Sequence, residues 1–491
     1  HECSIMAFVP TLVEGKTINY DAASRMQFYT SADAEEVLLP INLLAEETVT
    51  VNWGDGTAET FTGPLTDPGH TYAKSGAYDV AFAGNGRWSY GNSSGGGTQF
   101  PTNSNELQLR KIYNLGEDFT FLPQSFRGCS YLEEVSAFTW KCDPDLTEFF
   151  EFVCYDAPSP VSFDCTGWDT SDVVSIRALF DASENIDAID CSGWDLRNCV
   201  DVSFAFADVL DCRTLDCSGW IGTGNIINWD YFLGFFGNNA FYNTPSSWPD
   251  DPEVEWPKPD LSWLETFDFS GGTSFFQTFT QVYGTFEPSG FTFYGTDGTD
   301  VDMFSACNYI IYAGTLDLSS WNFESFSDIE ALLRGCYEVT TLITPASISM
   351  PYCLSAAEFL YSQTTTPPMQ MTAWTNHEVF LANAPAIWSV SEFFYYNDSQ
   401  LTLDISGWDV PAGRNFDRFL YHSDITVTSD LSGWDTSNAT SMEGVMFASP
   451  NVSATGMGSW DISSFVIGTT RAEFRNCGLS TTTVDAIYVG W

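Results

Sequence analysis

The sequence predicts a mostly β protein with short helices, in which an immunoglobulin-like β-sandwich is followed by a solenoid with units of about 26 residues. Two observations predict this fold. The motif Asp-Leu-Ser-Gly-Trp-Asp at residues 430–435 returns at a fixed spacing, and residues 49–53 and 77–82 alternate between polar and apolar side chains. A fixed period of roughly 20 to 50 residues is typical of stacked units that bury their apolar faces against their neighbours.

The tryptophan of the motif shows the period most clearly. It occurs every 26 residues in two groups, at positions 408, 434 and 460 and at positions 168, 194 and 220. We assign residues 105–491 to the solenoid, with an irregular insertion near 237–259 and a C-terminal cap near 474–491. Insertions in solenoids map to loops on one face, so the irregular insertion is the expected place for a partner contact.

Each residue of the motif has a predicted place in its unit. In Asp430-Leu431-Ser432 the apolar middle residue faces the core and its neighbours face water, as alternate residues of a strand do. The following Gly-Trp leaves the strand, and the indole covers the end of the core and stacks on the next unit. Ser/Thr-x-x-Glu capping boxes then predict a short helix, at residues 327–330, 355–358, 440–443 and 470–473. A strand, a turn and a helical turn within one unit form the leucine-rich-repeat type of solenoid.

The N-terminal part has a different pattern. Residues 1–25 stay unassigned, residues 26–90 have the alternation and turn signals of a small β-sandwich, and residues 91–104 form a Gly/Ser-rich connection. Asp55 lies between two glycines, and we interpret it as a turn residue rather than a ligand or a catalytic carboxylate. We interpret His70 as a packed or hydrogen-bonded structural residue rather than a base.

At least seven of the thirteen cysteines occupy positions that the repeats give to core residues. Cys165, Cys191 and Cys217 occupy the motif position that is leucine or isoleucine in other units. A second register, three residues after an apolar residue, holds the cysteines at positions 129, 307, 336 and 477. Free cysteine behaves as a small buried hydrophobe, so these residues have a packing explanation. No Cys-x-x-Cys pair occurs, and we expect no zinc site.

The charge of the chain excludes several classes of partner. Asp and Glu number 65 against 17 Lys and Arg, which gives a formal net charge of −48. A surface this negative repels nucleic acid and anionic lipid. No stretch of the sequence approaches the roughly 20 consecutive apolar residues that a membrane span needs. The first residues lack the basic and then apolar pattern of a secretory signal. A removed leader, a missing start and another export route all remain open.

A search for catalytic chemistry gives no catalytic, cofactor-binding or metal residue to assign. His377-Glu378 lacks the second histidine of a His-Glu-x-x-His zinc helix, and residues 84–86 do not form a phosphate-binding loop. Paired carboxylates for glycoside hydrolysis stay open, because with 65 acidic residues some pair at a suitable separation is nearly inevitable.

The spacing of three aspartates has an electrostatic consequence. Stacking in register would place Asp164, Asp190 and Asp216 about 5 Å apart on the outer sheet face, where like charges repel. Solvation, salt and hydrogen bonds from Thr166, Ser192 and Ser218 form one explanation of how this is tolerated. Calcium ions that bridge neighbouring aspartates form the other, and no other cofactor is required.

The motif at residues 430–438, followed by residues 441–447, resembles the BspA-like, or DUF285, leucine-rich repeat family over about residues 105–491. Residues 53–56, 70–72 and 76–78 resemble the PKD domain, an immunoglobulin-like module of extracellular and surface proteins. The first resemblance implies a surface-displayed binding protein of the kind found on bacteria. Similar chains with a PKD domain and repeats occur in marine phages as virion proteins.

We therefore expect a non-enzymatic adhesion or interaction protein that is extracellular, at a cell surface or at a virion surface. Its expected partners are other proteins or surface glycans, with no nucleic acid and no membrane insertion. One alternative is a structural subunit that self-associates into a fibre, a filament or a capsid decoration. A second alternative is a polysaccharide-degrading enzyme of the tailspike type.

Overall fold

A computed structural model gives the architecture of most of the chain. It describes residues 23–90, 108–209, 212–234, 236, 259–272, 274, 275, 278, 279, 291, 314–326, 328–336, 339–362, 369–465 and 474–490. Over these residues the protein is mostly β, with few short helices and a β-solenoid of about 9 turns that repeat about every 26 residues. The mostly β class and the solenoid of about 26-residue units expected from the sequence are therefore confirmed. The described residues divide into unit 1, within 23–199 and 208–221, and unit 2, within 200–207 and 222–490.

Unit 1 begins with nine strands in antiparallel arrangements. They are β1 Ser24–Thr30, β2 Glu35–Leu38, β3 Ile41–Leu43, β4 Thr48–Asn52, β5 Ala58–Thr62, β6 Leu65–Thr66, β7 Gly69–Tyr72, β8 Gly76–Gly84 and β9 Gly86–Trp88. Strand β8 pairs with both β1 and β4, β5 pairs with β4, and β2 pairs with β7. The alternating segments seen in the sequence lie in β4 and β8, whose inward residues are buried.

The described part of unit 1 also contains eight solenoid strands, of which five extend the sheet that contains β1. They are β10 Leu109–Asn114, β11 Phe119–Phe121, β12 Glu134–Val135, β13 Trp140–Lys141, β14 Val161–Asp164, β15 Trp168–Asp169, β16 Ile186–Asp190 and β17 Thr214–Asp216. Strands β10, β12, β14, β16 and β17 pair in parallel order, and β10 pairs antiparallel with β1. Among the described strands, one sheet therefore runs from the N-terminal antiparallel strands into the repeats.

Unit 2 has shorter strands and several single turns of 3-10 helix. Its strands are β18 Gly314–Asp317, β19 Val339–Ile343, β20 Ala373–Thr375, β21 Thr402–Leu403 and β22 Thr426–Val427. The 3-10 helices are Thr223–Asn225, Ser262–Thr266, Phe323–Ser325, His377–Val379 and Met457–Ser459. Helix α1, Thr481–Gly490, packs against the 3-10 helix Met457–Ser459.

The predicted helix after each capping box is wrong where the structure describes the box. Residues 355–362 and 440–447 form successive turns instead. The Ser355 hydroxyl donates to Glu330 of the preceding coil rather than capping Glu358, and the Thr440 hydroxyl donates to the carbonyl of Arg414. The boxes at 327–330 and 470–473 include residues outside the described ranges.

Hydrogen bonding between coils explains why these segments are not helical. An α-helix uses its N–H groups within one segment, four residues back. Here alternate N–H groups donate to the next coil, as those of residues 356, 358, 360 and 362 do to the carbonyls of 389, 391, 393 and 395. Left-handed residues four positions apart redirect the chain in each turn segment, for example Glu392 and Tyr396 with φ of 55° and 49°. The same spacing recurs at 148 and 152, 178 and 182, 204 and 208, 418 and 422, and 444 and 448.

The part of the chain that the structure describes has no helix of the length and hydropathy that a bilayer span requires.

Candidate functional surfaces of the solenoid

The aspartate ladder of unit 1 forms as expected. Asp164 pairs in register with Asp190, and Asp190 with Asp216, on neighbouring parallel strands. Each carboxylate closes a turn by accepting the backbone N–H two residues later, from Thr166, Ser192 or Ser218, at 3.2, 3.0 and 2.8 Å. Asp164 also accepts the hydroxyl of Thr166 at 2.7 Å. The expected hydrogen bonds are present, and two of the three come from backbone N–H groups alone.

The same turn recurs in the repeats and accounts for their regularly placed aspartates. Asp169 accepts the N–H and the hydroxyl of Ser171, and these two bonds lower the pKa of the carboxyl. The Arg197 side chain binds Asp195 at 2.6 Å and lowers its pKa in the same way. Asp or Asn side chains bond their own backbone two residues on with little strain, which favours turns. Within the described residues, no group of three or more His, Cys, Asp or Glu side chains is arranged to hold a metal ion.

The motif tryptophans stack in the predicted way. Trp194 lies parallel to Trp168 and to Trp220, with ring centroids 6.0 and 5.8 Å apart. Each indole N–H also donates to the carbonyl of the preceding unit's core residue, from Trp194 to Cys165 at 3.0 Å and from Trp220 to Cys191 at 2.8 Å. In unit 2, Trp434 and Trp460 repeat this arrangement with centroids 5.9 Å apart. The aromatic ring therefore closes the core, and its buried N–H finds an acceptor on the preceding unit.

The cysteines of the motif are core residues, as predicted. Cys165, Cys191 and Cys217 are free thiols with no exposed surface, and burial raises the pKa of Cys191 and Cys217 well above the ordinary value. Of the second register, Cys129 and Cys336 are buried, the residue at 477 is half-buried, and the one at 307 lies outside the described residues.

The Asp55 loop is structural, as predicted. Asp55 accepts the N–H and the hydroxyl of Thr57 at 2.9 and 2.6 Å, and both flanking glycines have positive φ. Its other oxygen lies 2.8 Å from Nε2 of His70, whose ring stacks on Trp53. Burial raises the pKa of Asp55, but the bonds from Thr57 and His70 outweigh burial and leave the pKa below its ordinary value.

His377 holds two coils of unit 2 together. Its Nδ1 lies 2.8 Å from the carbonyl oxygen of Trp374, and its Nε2 accepts the backbone N–H of Asp404 at 2.9 Å. These partners make Nδ1 the donor and Nε2 the acceptor of the ring. His377 therefore has a structural role in this geometry.

Sequence reasoning missed a group of buried acids on unit 1. Glu151 is 7% exposed, and burial raises its pKa to about 8, while the Arg127 guanidinium 2.6 Å away opposes the shift. Burial and the charge of Asp208 raise the pKa of Asp181 to about 7, and burial also raises that of Asp208. The available signal was the run Phe-Phe-Glu-Phe-Val at 149–153, in which an acid interrupts an apolar stretch.

Sequence reasoning also missed two aromatic features of unit 2. Half-buried rings stack along successive coils, from Tyr361 to Tyr395, Tyr421 and Phe447, with centroids 4.9, 5.2 and 5.1 Å apart. Trp388 is different, because it is 47% exposed, whereas every other tryptophan that the structure describes is at most 8% exposed. Trp388 follows Ile387 rather than Ser-Gly, so it does not belong to the repeated motif.

The irregular insertion near 237–259 lies almost entirely outside the described residues, as does the Gly/Ser-rich connection at 91–104. The partner contact expected at the insertion stays a prediction.

Two segments of the chain, residues 151–248 and 369–482, match the family described as "Mycoplasma protein of unknown function, DUF285". The two segments fall in the central and C-terminal groups of repeats, where the motif is most regular. No curated protein and no solved structure matches the chain.

Proposed function

We propose that this protein is a BspA-like surface protein, displayed on a cell envelope or a virion, that acts by adhesion to other proteins or to glycans. The observation that carries the proposal is the division of roles within each coil. The repeated Asp residues close turns, the Trp residues stack and bond between coils, and the core residues are buried, as at Asp190, Trp194 and Cys191. Side chains outside the motif are left to face solvent, and a regular scaffold can hold many of them for multivalent contact.

We further propose that the N-terminal sandwich is a PKD-like domain that spaces the repeats from their point of attachment. Support comes from the antiparallel pairing of β1, β4, β5 and β8 and from the Asp55 loop with its Trp53 and His70 contacts. A rigid turn with both carboxylate oxygens occupied suits a spacer better than a binding loop.

The proposed function is non-enzymatic. A glycosidase of the tailspike type needs one carboxylic acid that keeps its proton near neutral pH beside one that is ionised. The turn carboxylates Asp169, Asp195 and Asp404 have lowered pKa values because they accept hydrogen bonds from nearby side chains and backbone. Glu151 and Asp181 have raised values but are largely enclosed, and Glu151 contacts Arg127.

Display on the surface is tested by imaging intact cells or particles with antibodies against the folded chain. Labelling of intact material, with isolated projecting copies, is the expected result. Copies in lateral contact with one another would favour the structural-subunit alternative over adhesion. Labelling only after lysis would overturn the proposal of surface display. Release of reducing sugar from host polysaccharide by the purified chain would establish the enzymatic alternative.

A further inference from the structure

One outward position of unit 2 carries side chains that the scaffold does not use. Backbone bonds place Leu354, Trp388, Arg414 and Thr440 side by side on successive coils, because the N–H of each later residue donates to the carbonyl of the one before. Those bonds measure 2.9, 2.7 and 2.8 Å. We call these four residues, together with Tyr352, the outer column.

The outer column is exposed and aromatic. Tyr352 is 70% exposed, Leu354 50% and Trp388 47%. Cys353 between the first two is buried, so alternate residues of this extended segment point outwards. Single exposed apolar residues are normal on proteins, but three on two adjacent coils form a patch that indicates binding.

Arg414 makes the patch chemically specific. It is exposed, and no carboxylate lies within 4.0 Å of its guanidinium among the residues that the structure describes. Every other described arginine or lysine has an ion pair or an aromatic ring against it, for example Arg418 with Glu392 at 2.9 Å. In a chain with a net charge of −48, a guanidinium left without an acid is positioned for an anion from outside.

We propose that the outer column binds an acidic polysaccharide, a chain of sugars that carry carboxylates. The exposed rings of Tyr352 and Trp388 offer apolar faces for the C–H face of a pyranose, and Arg414 offers a bidentate partner for its carboxylate. Coils repeat at about 4.8 Å, which is close to the length of one sugar unit, so successive coils present successive subsites. This inference rests on the proposed adhesive function and names its ligand class.

The composition of the patch favours this occupant, and the charge of the chain disfavours more densely charged polyanions. Nucleic acid places a charge about every 1.7 Å of duplex, and an acidic chain repels such a density strongly. A polyuronate has fewer charges and many hydroxyl groups. At physiological salt the screening length is roughly 8 Å, so the contact depends mainly on groups at the column itself.

The stacked tyrosines of unit 2 are a poorer platform. Tyr395 has Tyr361 against one face and Tyr421 against the other, so neither face is available to a sugar. The outer column differs because no described ring stacks on Tyr352 or Trp388.

The test uses the full chain with oligogalacturonate and oligoalginate as probes, and maltooligosaccharide as the neutral control. Trp388 gives a direct readout, because the difference in acrylamide quenching between the wild type and Trp388→Phe reports on this one exposed indole. Both acidic probes are expected to shield Trp388, while the neutral probe has a much smaller effect. Calorimetry gives the affinities.

The variants separate recognition from folding. Arg414→Gln is expected to lower the affinity for the acidic probes at least tenfold, so that they no longer bind more tightly than the neutral probe. The matched control Arg418→Gln, which removes a guanidinium already paired with Glu392, is expected to stay within about twofold. Trp388→Ala is expected to abolish binding with an unchanged melting temperature, since its side chain is half exposed.

Three results would overturn the proposal. The first is that neither acidic probe shields Trp388 from quenching. The second is that Arg414→Gln and Arg418→Gln weaken binding equally. The third is that sedimentation shows a second copy of the chain covering Trp388 in the absence of sugar. Binding of the purified chain is measured independently of where the protein is displayed. Failure here therefore leaves the imaging result intact, and failure of display leaves the binding result intact.

Discussion

The aspartate ladder gives the sharpest test of how the repeats are held together. Asp190 lies between Asp164 and Asp216 and accepts the N–H of Ser192 at 3.0 Å. Replacement by Asn keeps the amide oxygen as acceptor and removes two like-charge contacts. Replacement by Ala removes both the repulsion and the turn bond. The two variants thus separate the charge of the ladder from its hydrogen bond.

The expected magnitudes follow from the geometry. Each like-charge contact between neighbouring strands costs about 0.2–1 kcal/mol, so Asp190→Asn should stabilise the fold by about 1 kcal/mol in low salt. The turn bond contributes about 1 kcal/mol of stability. In Asp190→Ala the loss of this bond should therefore roughly cancel the stability gained by removing the repulsion. The Asn variant should therefore melt about 1–2 °C above the Ala variant.

Differential scanning calorimetry in low and high sodium chloride measures both effects. The gain of Asp190→Asn over the wild type should shrink in high salt, because screening weakens the repulsion that the substitution removes. An Asn variant less stable than the Ala variant in low salt would refute the reasoning. So would a gain that is independent of salt.

Calcium adds a second arm to the same experiment. If calcium bridges the ladder, millimolar calcium should raise the melting temperature of the wild type more than magnesium at equal ionic strength. Asp190→Asn should remove that difference. Equal effects of the two ions, with no further shift when chelator is added, would end the calcium proposal and leave hydrogen bonding and screening.

Three further predictions concern packing, backbone and pH. Ala448 has φ of 55°, so Ala448→Gly should stabilise the fold by up to about 1 kcal/mol and Ala448→Val should destabilise it, as measured by urea unfolding. Trp434→Phe removes the indole donor 3.0 Å from the carbonyl of Ile405, which keeps the N–H of Trp408 at 3.2 Å, and should cost about 0.5–1.5 kcal/mol. A neutral result in the same unfolding assay would contradict this. Burial raises the folded pKa of Asp181 to about 7, and that of Asp208 is raised too. The folded state therefore binds more protons, and stability should fall as pH rises from about 4 to 7, a slope that Asp181→Asn should reduce in melts across this range.

The motif illustrates what local pattern can predict. Asp430, Leu431 and Trp434 lie where alternation and side-chain chemistry place them, and the cysteine copies are buried. These predictions succeed because inward and outward faces follow from a period of two within a strand, which needs no knowledge of the neighbouring coil.

The capping boxes illustrate where local pattern fails. Ser355 and Glu358 carry a valid helix-start signature, yet the Ser355 hydroxyl binds Glu330 and the Glu358 carboxylate binds Arg334 at 2.7 Å. Both partners come from the preceding coil. Once neighbouring coils supply acceptors for alternate N–H groups, the left-handed turn at Glu358 replaces the helix.

The sequence alone thus determined the period, the core register and the role of the motif, because each depends on residue spacing and on side chains within one unit. The tertiary structure alone decided which hydrogen-bond partners the turns use and that β1 and β10 join the N-terminal antiparallel strands to the repeats. It also decided that Trp388 and Arg414 face solvent, while the other tryptophans and basic residues that the structure describes are buried or paired. These features depend on contacts between coils that are about 26 residues apart in the chain, and stacking brings those coils together only in the folded state.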